Sequence, residues 1–157
     1  MNLKEDLLAL TRALNASEID YAVCGGLAMA IHGFVRATKD IDILIRREDL
    51  QRVEALAEAA GFVIPAGIIP FGTGTSDARE IFRISKVIDN VVVPLDLMFV
   101  APSLESVWQD RVIADFDGEE VCVVSKEGLA AMKRTAGRPQ DLLDIKYLES
   151  GNDELPS

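Results

Sequence analysis

Three aspartates stand in segments whose other residues are mostly apolar. Asp40 and Asp42 lie in the run KDIDILI at 39–45, and Asp96 lies in VVVPLDLMFV at 91–100. Both runs predict buried strands, where an unpaired carboxylate costs several kcal/mol. Because side chains alternate along a strand, Asp40 and Asp42 should share one face. With Asp96 on a neighbouring strand, they would form a hard-oxygen site suited to Mg²⁺.

Size, composition and charge limit the class of protein. The chain has 157 residues, 49% of them hydrophobic, which is enough for one domain with a proper core. Its formal charge of −10 argues against broad binding to duplex DNA or anionic lipid, which needs Lys and Arg facing phosphates. The sequence has neither a long apolar run nor a signal-peptide layout, so we expect a cytoplasmic protein. The two cysteines, Cys24 and Cys122, lack metal-site spacing and are expected to be buried thiols.

The first half of the chain predicts alternating helices and strands. Residues 3–16 have a leucine stripe at helical spacing, with Asn2 as N-cap. The predicted elements that follow are a strand at 21–24, a double glycine opening a short helix at 27–32, the aspartate strand at 40–45, and a helix capped by Asp49 and stopped by Gly61.

The second half predicts a loop, two strand pairs and two helices. Five glycines and prolines between 65 and 74 indicate a loop over 62–78. The further elements are strands at 79–87 and 91–100 around Asp89-Asn90, strands at 111–116 and 119–124 around Asp117-Gly118, a helix from Ser125 to Gly137, and a helix from Pro139 to about Ser150. Pro94 indicates an edge position or a bulge in its strand.

These elements predict an α+β fold. We expect a mixed, mostly antiparallel sheet of about five strands, with helices against it and two C-terminal helices forming one wall of a cleft. Residues 1–124 would form the core, residues 125–150 a helical appendage of the same domain, and residues 151–157 a disordered tail.

The Gly25-Gly26 pair between a strand and a short helix suggests a phosphate cradle. Glycine lets the backbone approach a triphosphate closely, and the first amides of the helix could donate to its oxygens. The alternative is a plain tight turn.

The ordered motifs resemble a known family. Gly25-Gly26, the R-x-T-x-D-x-D run from Arg36 to Asp42, and Asp96 resemble the nucleotidyltransferase superfamily with the DNA polymerase β-like core, over residues 20–100. The K-R-x-x-G-R-x-x-D-x-x-D segment from Lys133 to Asp144 resembles the small bacterial AbiEii-like nucleotidyltransferases, which include toxins of toxin–antitoxin pairs.

The resemblance implies a reaction and its cofactor. An NTP would donate its NMP to an acceptor hydroxyl on a small molecule, a protein or an RNA, with release of pyrophosphate. Asp40 and Asp42 would hold one Mg²⁺, and with Asp96 a second ion that activates the hydroxyl, as in two-metal sites with ions about 3.5–4 Å apart. Asp96 could also be the general base.

Further residues are assigned to the nucleotide and its partners. The predicted nucleotide-binding residues are Gly25, Gly26, Arg36, Thr38, Lys133 and Arg138, with Asp141 and Asp144 in support. An antitoxin or other partner protein is conceivable, whereas a membrane and duplex DNA are not expected partners.

Purely structural roles stay open for several of these residues. Arg36 and Thr38 could only fix the loop, the C-terminal charges could only dock two helices, and Asp96 could pair with a core arginine. His32 is expected to be a satisfied structural residue. For the whole protein, the alternatives are a nucleotide-binding module without transfer activity and an ion-paired core without a ligand.

Overall fold

The computed structural model describes residues 2–35, 37–71, 74 and 78–149. Arg36, most of the predicted loop after residue 71 and the predicted tail at 151–157 lie outside the described residues. The described part is a mixed α+β fold, as predicted. Its strands are β1 Ala22–Cys24, β2 Ile41–Ile45, β3 Ile64–Phe71, β4 Arg79–Ile88, β5 Val91–Phe99, β6 Val112–Phe116 and β7 Glu119–Val123. Its α-helices are α1 Leu3–Ala16, α2 Gly25–Ile31, α3 Leu50–Ala59, α4 Glu105–Gln109, α5 Lys126–Ala136 and α6 Pro139–Glu149, with 3₁₀ turns at Arg47–Asp49 and Pro102–Leu104.

The described strands form one seven-stranded sheet in the order β3-β4-β5-β2-β1-β7-β6. The pairs β1–β7 and β2–β5 are parallel, and the other neighbours are antiparallel. Ile41, Ile43 and Ile45 are fully buried, because alternation turns them all to one face. The opposite face of β2 therefore carries Asp42, beside Cys24 of β1 and Asp96 of β5.

Two predicted helix caps and one predicted hairpin turn are confirmed. The Asn2 side chain accepts a hydrogen bond from the Glu5 amide at 3.2 Å, and Ser125 accepts one from the Gly128 amide at 3.0 Å. The turn residues Asp89 and Asn90 have φ of 50° and 65°, the positive values that a two-residue turn of type I′ requires. Each signal acts within four residues, so it does not depend on the rest of the fold.

The predicted loop over 62–78 is wrong for its first half, which forms the edge strand β3. Proline is tolerated there because an edge strand has one side without a partner. The pairing with β4 shifts between Pro65 and Gly67, and Gly67 has a φ of +81°, as at a bulge. The sheet consequently has more strands than the five or so predicted.

Other differences are smaller. Asp40 lies one residue before β2, and α2 begins at Gly25. Asp49 precedes α3, but its side chain caps no backbone amide. Pro94 lies in an interior strand rather than at the sheet edge; its position is tolerated because pairing with β2 begins only at Leu95. None of the helices in the described ranges is long and apolar enough to cross a bilayer.

Candidate functional site

The structure brings the three aspartates together. Asp42 and Asp96 are register partners on the parallel strands β2 and β5, and Asp40 lies one residue before β2. One carboxylate oxygen from each of the three lies within 4.8 Å of the others. Oxygens that share one hard cation lie at most about 4–5 Å apart, twice the metal–oxygen distance. The donor set and its spacing therefore fit a divalent ion such as Mg²⁺.

The electrostatics of the trio also fit a cation. Burial, together with the negative charges of Asp40 and Asp96, raises the pKa of Asp42 to about 8 against the opposing charges of Arg83 and Arg138. The site is thus short of positive charge at neutral pH. A divalent ion would offset this deficit, since an opposite charge within a few ångströms favours the ionised carboxylate.

Arg83 is a residue of this site that the sequence analysis did not name. It lies opposite Asp96 in the β4–β5 pair, and its Nε and Nη2 donate to Asp96 Oδ1 and Oδ2 at 2.7 and 2.9 Å. Asp96 therefore does pair with an arginine, the alternative left open above, while also lying beside the other two acids. The signal was available: a two-residue turn at Asp89-Asn90 places residue 83 opposite residue 96.

The Gly25-Gly26 pair is required by close approaches within the protein. Gly25 has a φ of +68°, and a Cβ there would lie 2.2 Å from Asp42 Oδ2. A Cβ on Gly26 would lie 2.8 Å from Thr38 Oγ1. Thr38 in turn donates to the backbone and side-chain oxygens of Asp40 at 3.3 and 3.4 Å. The glycines thus let the start of α2 pack directly against the residues that carry the acids.

The C-terminal charges form a buried cluster between α5 and α6. Lys133 Nζ lies 2.9 Å from Asp144 Oδ2 and 3.6 Å from Asp141 Oδ1, and both acids are 1% exposed. Arg138 Nε donates to Asp141 Oδ2 at 2.6 Å. Burial alone would raise the pKa of Asp141, but hydrogen bonds and charge from Arg138, with the charge of Lys133, lower it overall. These contacts match the helix-docking alternative.

The same cluster still lies close to the acids. The charge of Arg138 lowers the pKa of Asp42, although the Arg138 side chain is 74% exposed. Burial raises the pKa of the Cys24 thiol strongly, as does the charge of Asp42, while the charges of Arg79 and Lys133 oppose the shift. Arg79 of β4 and Lys133 of α5 thus lie close enough to affect Cys24, the β1 neighbour of Asp42, and Arg79 was not predicted from the sequence.

The structure also shows the surroundings of His32 and of the two cysteines. His32 Nε2 lies 2.7 Å from the Val124 carbonyl oxygen, a contact that ties α2 to the end of β7, as expected for a structural histidine. Cys24 is buried and Cys122 is half-buried. The predicted role of Arg36 falls outside the described residues.

Solved structures share this fold. The lincosamide antibiotic adenylyltransferase LnuA, solved with lincomycin bound, superposes with a TM-score of 0.61 at 14% identity, covering 94% of this chain and 97% of that one. ANT(2'')-Ia in complex with adenylyl-2''-tobramycin gives 0.60 at 13% identity, covering 96% and 89%. A Thermotoga maritima protein named as a candidate nucleotidyltransferase gives 0.61 at 15% identity, covering 93% and 91%. At these identities the likeness shows the fold.

A sequence model of a protein family identifies the family of this chain. No curated protein sequence matches the chain. The model described as nucleotidyltransferase of unknown function (DUF6036) matches residues 1–150. The resemblance to nucleotidyltransferases is confirmed, whereas the AbiEii-like subtype stays a prediction. The chain belongs to this DUF6036 family of nucleotidyltransferases.

Proposed function

We propose that this nucleotidyltransferase moves an NMP from an NTP to an acceptor hydroxyl with Mg²⁺ held by Asp40, Asp42 and Asp96. The observation that carries the proposal is the convergence of the three carboxylates within 4.8 Å on one face of the sheet. The raised pKa of Asp42 supports it, because perturbed groups in one cluster are typical of functional sites.

The aspartates have separable roles in this proposal. When bound, Mg²⁺ supplies positive charge to the phosphates and to the attacking oxygen. Asp40 and Asp42 would hold the ion together with Asp96, and Thr38 orients the Asp40 carboxylate. Asp96 takes the proton of the acceptor hydroxyl. Each carboxylate oxygen has two lone pairs, so Asp96 can accept from Arg83 and still face the acceptor.

The nucleotide would bind between α2 and the start of α6. The backbone at Gly25 and Gly26 would approach the phosphates. The exposed Arg138 guanidinium, whose Nε and Nη2 donate to Asp141, would bind them through its remaining N–H donors. Lys133 is mostly held by Asp141 and Asp144, so its contribution is to position the helix end that carries Arg138. Arg36 remains a predicted phosphate ligand.

The acceptor we favour is a small molecule. Two proteins with this fold, of nearly the same extent, are named for adenylyl transfer to antibiotics or bear an adenylylated one. The formal charge of −10 disfavours RNA, which carries phosphates along its whole length. A toxin-type role with a protein or RNA acceptor and an antitoxin partner is the second reading.

Transfer of label from α-³²P NTPs tests the proposal. Each NTP is incubated with Mg²⁺ and, in separate arms, an aminoglycoside or lincosamide panel, total RNA, and a lysate protein fraction. Wild type should transfer the labelled NMP to an acceptor in one arm. The rate of that transfer should be at least about a hundredfold lower for Asp42→Asn, as for removal of a group that acts in the transition state. Labelled RNA or protein would indicate the toxin-type role.

The matched control is Asp20→Asn, which makes the same change at a side chain that is 74% exposed. It should label as wild type does. Equal labelling by wild type and Asp42→Asn would remove the enzymatic assignment of the trio. Metal-dependent NTP binding in calorimetry without transfer in any arm would instead identify a nucleotide-binding module.

A further inference from the structure

Arg83 is a cation in direct contact with the acid trio, through Asp96. Its two hydrogen bonds occupy both oxygens of Asp96, whose side chain is only 7% exposed. The Arg83 side chain reaches Asp96 from the neighbouring strand and is 40% exposed, so part of it is accessible to a ligand. Its hydrogen bonds to Asp96 raise the pKa of Arg83, and the charges of Asp96, Asp40 and Asp42 add to that shift. Arg83 thus interacts with all three acids.

A guanidinium in this place affects binding of a divalent ion. The ion and the guanidinium would share Asp96 and lie a few ångströms apart, where charges of +2 and +1 repel strongly even at an effective dielectric constant of about 20. Arg83 also stabilises the buried Asp96 without any metal, since breaking a buried pair leaves an uncompensated charge. Both effects favour the metal-free protein.

We propose that Arg83 takes the place of the metal ion in the free enzyme, so that tight Mg²⁺ binding depends on the nucleotide. The inference rests on the proposed function, because it takes the acid trio as the metal site. An NTP brings several negative charges, which offset the charge of Arg83 and reduce its repulsion with the ion. A guanidinium fork also matches phosphate oxygens, so Arg83 has a second partner once the nucleotide is present.

Calorimetric titration of Mg²⁺ tests the inference. Wild type and Arg83→Gln are titrated with Mg²⁺ alone and with a non-hydrolysable NTP present; glutamine keeps a hydrogen-bond donor and removes the charge. Arg83→Gln should bind Mg²⁺ alone at least about tenfold more tightly than wild type. The nucleotide should increase Mg²⁺ affinity strongly in wild type and much less in the variant.

The control variant is Arg47→Gln. Arg47 donates a hydrogen bond of 2.6 Å to Glu80, which lies on β4 as Arg83 does. The Arg47 side chain is 55% exposed. The variant makes the same charge change outside the acid trio, so its Mg²⁺ affinity should equal that of wild type. An equal gain in both variants would mean that net charge alone is responsible and would overturn the role of Arg83.

A second measurement covers failure of Arg83→Gln to fold. In ¹⁵N-labelled wild type, the Arg83 Nε–H signal should move when Mg²⁺ and nucleotide are added together, because Arg83 then changes partner. A stationary signal would overturn the inference. Unchanged or weaker Mg²⁺ binding by a folded Arg83→Gln would also overturn it, and would identify Arg83 as a group that only orients Asp96.

The outcomes separate this inference from the proposed function. If Asp42→Asn loses Mg²⁺ binding and Arg83→Gln does not gain it, only the role of Arg83 is wrong. If neither wild type nor Arg83→Gln binds Mg²⁺ with or without nucleotide, the assignment of the acid trio as a metal site is wrong. Both the proposed function and the role of Arg83 are then contradicted.

Discussion

Arg83 and Asp96 face each other across β4 and β5, with the guanidinium of one holding both carboxylate oxygens of the other at 2.7 and 2.9 Å. Asp96 is at the same time one of three acids whose oxygens lie within 4.8 Å. One carboxylate therefore belongs both to a cross-strand ion pair and to the candidate metal site. The stability of the sheet and the chemistry of the site are coupled at this residue.

The pKa of Asp42 predicts a pH dependence of stability. Because the pKa of Asp42 is about 8 in the folded protein and its ordinary value is 3.8, the folded protein keeps a proton that the unfolded chain releases. The contribution of Asp42 is therefore fully present below about pH 4 and is lost as pH rises to about 8, at up to about 1.4 kcal/mol per pH unit. Denaturant unfolding of the metal-free protein across this range measures it.

Asp42→Asn should remove that pH dependence, and Asp20→Asn should keep it. Mg²⁺ added with a non-hydrolysable NTP should stabilise wild type most at pH 8, since the ionised carboxylate then binds the ion. A pH profile that is the same for wild type and Asp42→Asn would contradict the raised pKa.

Gly25→Ala should destabilise the protein and impair the metal site. The positive φ strains any residue with a Cβ by about 1–2 kcal/mol, and overlap with the Asp42 carboxylate should add about 1–3 kcal/mol. The matched control is Gly33→Ala, at a φ of +96° with no atom within 4 Å of the added Cβ. Thermal melts with and without Mg²⁺ and a non-hydrolysable NTP should show two effects only for Gly25→Ala: the loss of stability from overlap with Asp42, and a smaller stabilisation by the metal and nucleotide.

Lys133→Met tests the buried cluster between α5 and α6. Removing the ammonium leaves Asp141 and Asp144 buried with less compensation, so we expect a loss of roughly 3–5 kcal/mol in the free energy of unfolding. The double variant Lys133→Met, Asp144→Asn should regain part of that loss. A loss no greater than that of Arg12→Met, at an exposed ion pair, would mean that the cluster does not hold the helices together.

Arg138→Met should weaken nucleotide binding more than it weakens the fold. The side chain is 74% exposed yet close enough to affect Asp42, and a charge-assisted hydrogen bond contributes about 1.5–3 kcal/mol. We expect at least about tenfold weaker NTP affinity in calorimetry. Arg134→Met, at an exposed residue of α5 that pairs with Glu149, should bind NTP as wild type does. Equal affinity for the two variants would leave Arg138 with a docking role only.

Local interactions made parts of the fold readable from the sequence. Asn2, Ser125 and the Asp89-Asn90 turn act on amides or dihedrals a few residues away, and all three predictions are confirmed. The strand β3 was not readable, because its prolines and glycines are typical of loops and are tolerated here by the position of β3 at the sheet edge. Edge position is a property of the whole sheet.

The sequence by itself determined the residue types of the site and the faces they occupy: three acids on apolar strands, a glycine pair and a basic C-terminal segment. The tertiary structure decided how they meet. The parallel register of β2 and β5, which puts Asp42 beside Asp96, joins strands far apart in the chain with no tight turn to set it. The raised pKa of Asp42 follows from that packing, because it depends on burial and on charges a few ångströms away. The contact of Arg83 with Asp96 follows instead from the hairpin turn at Asp89-Asn90, which the sequence does indicate.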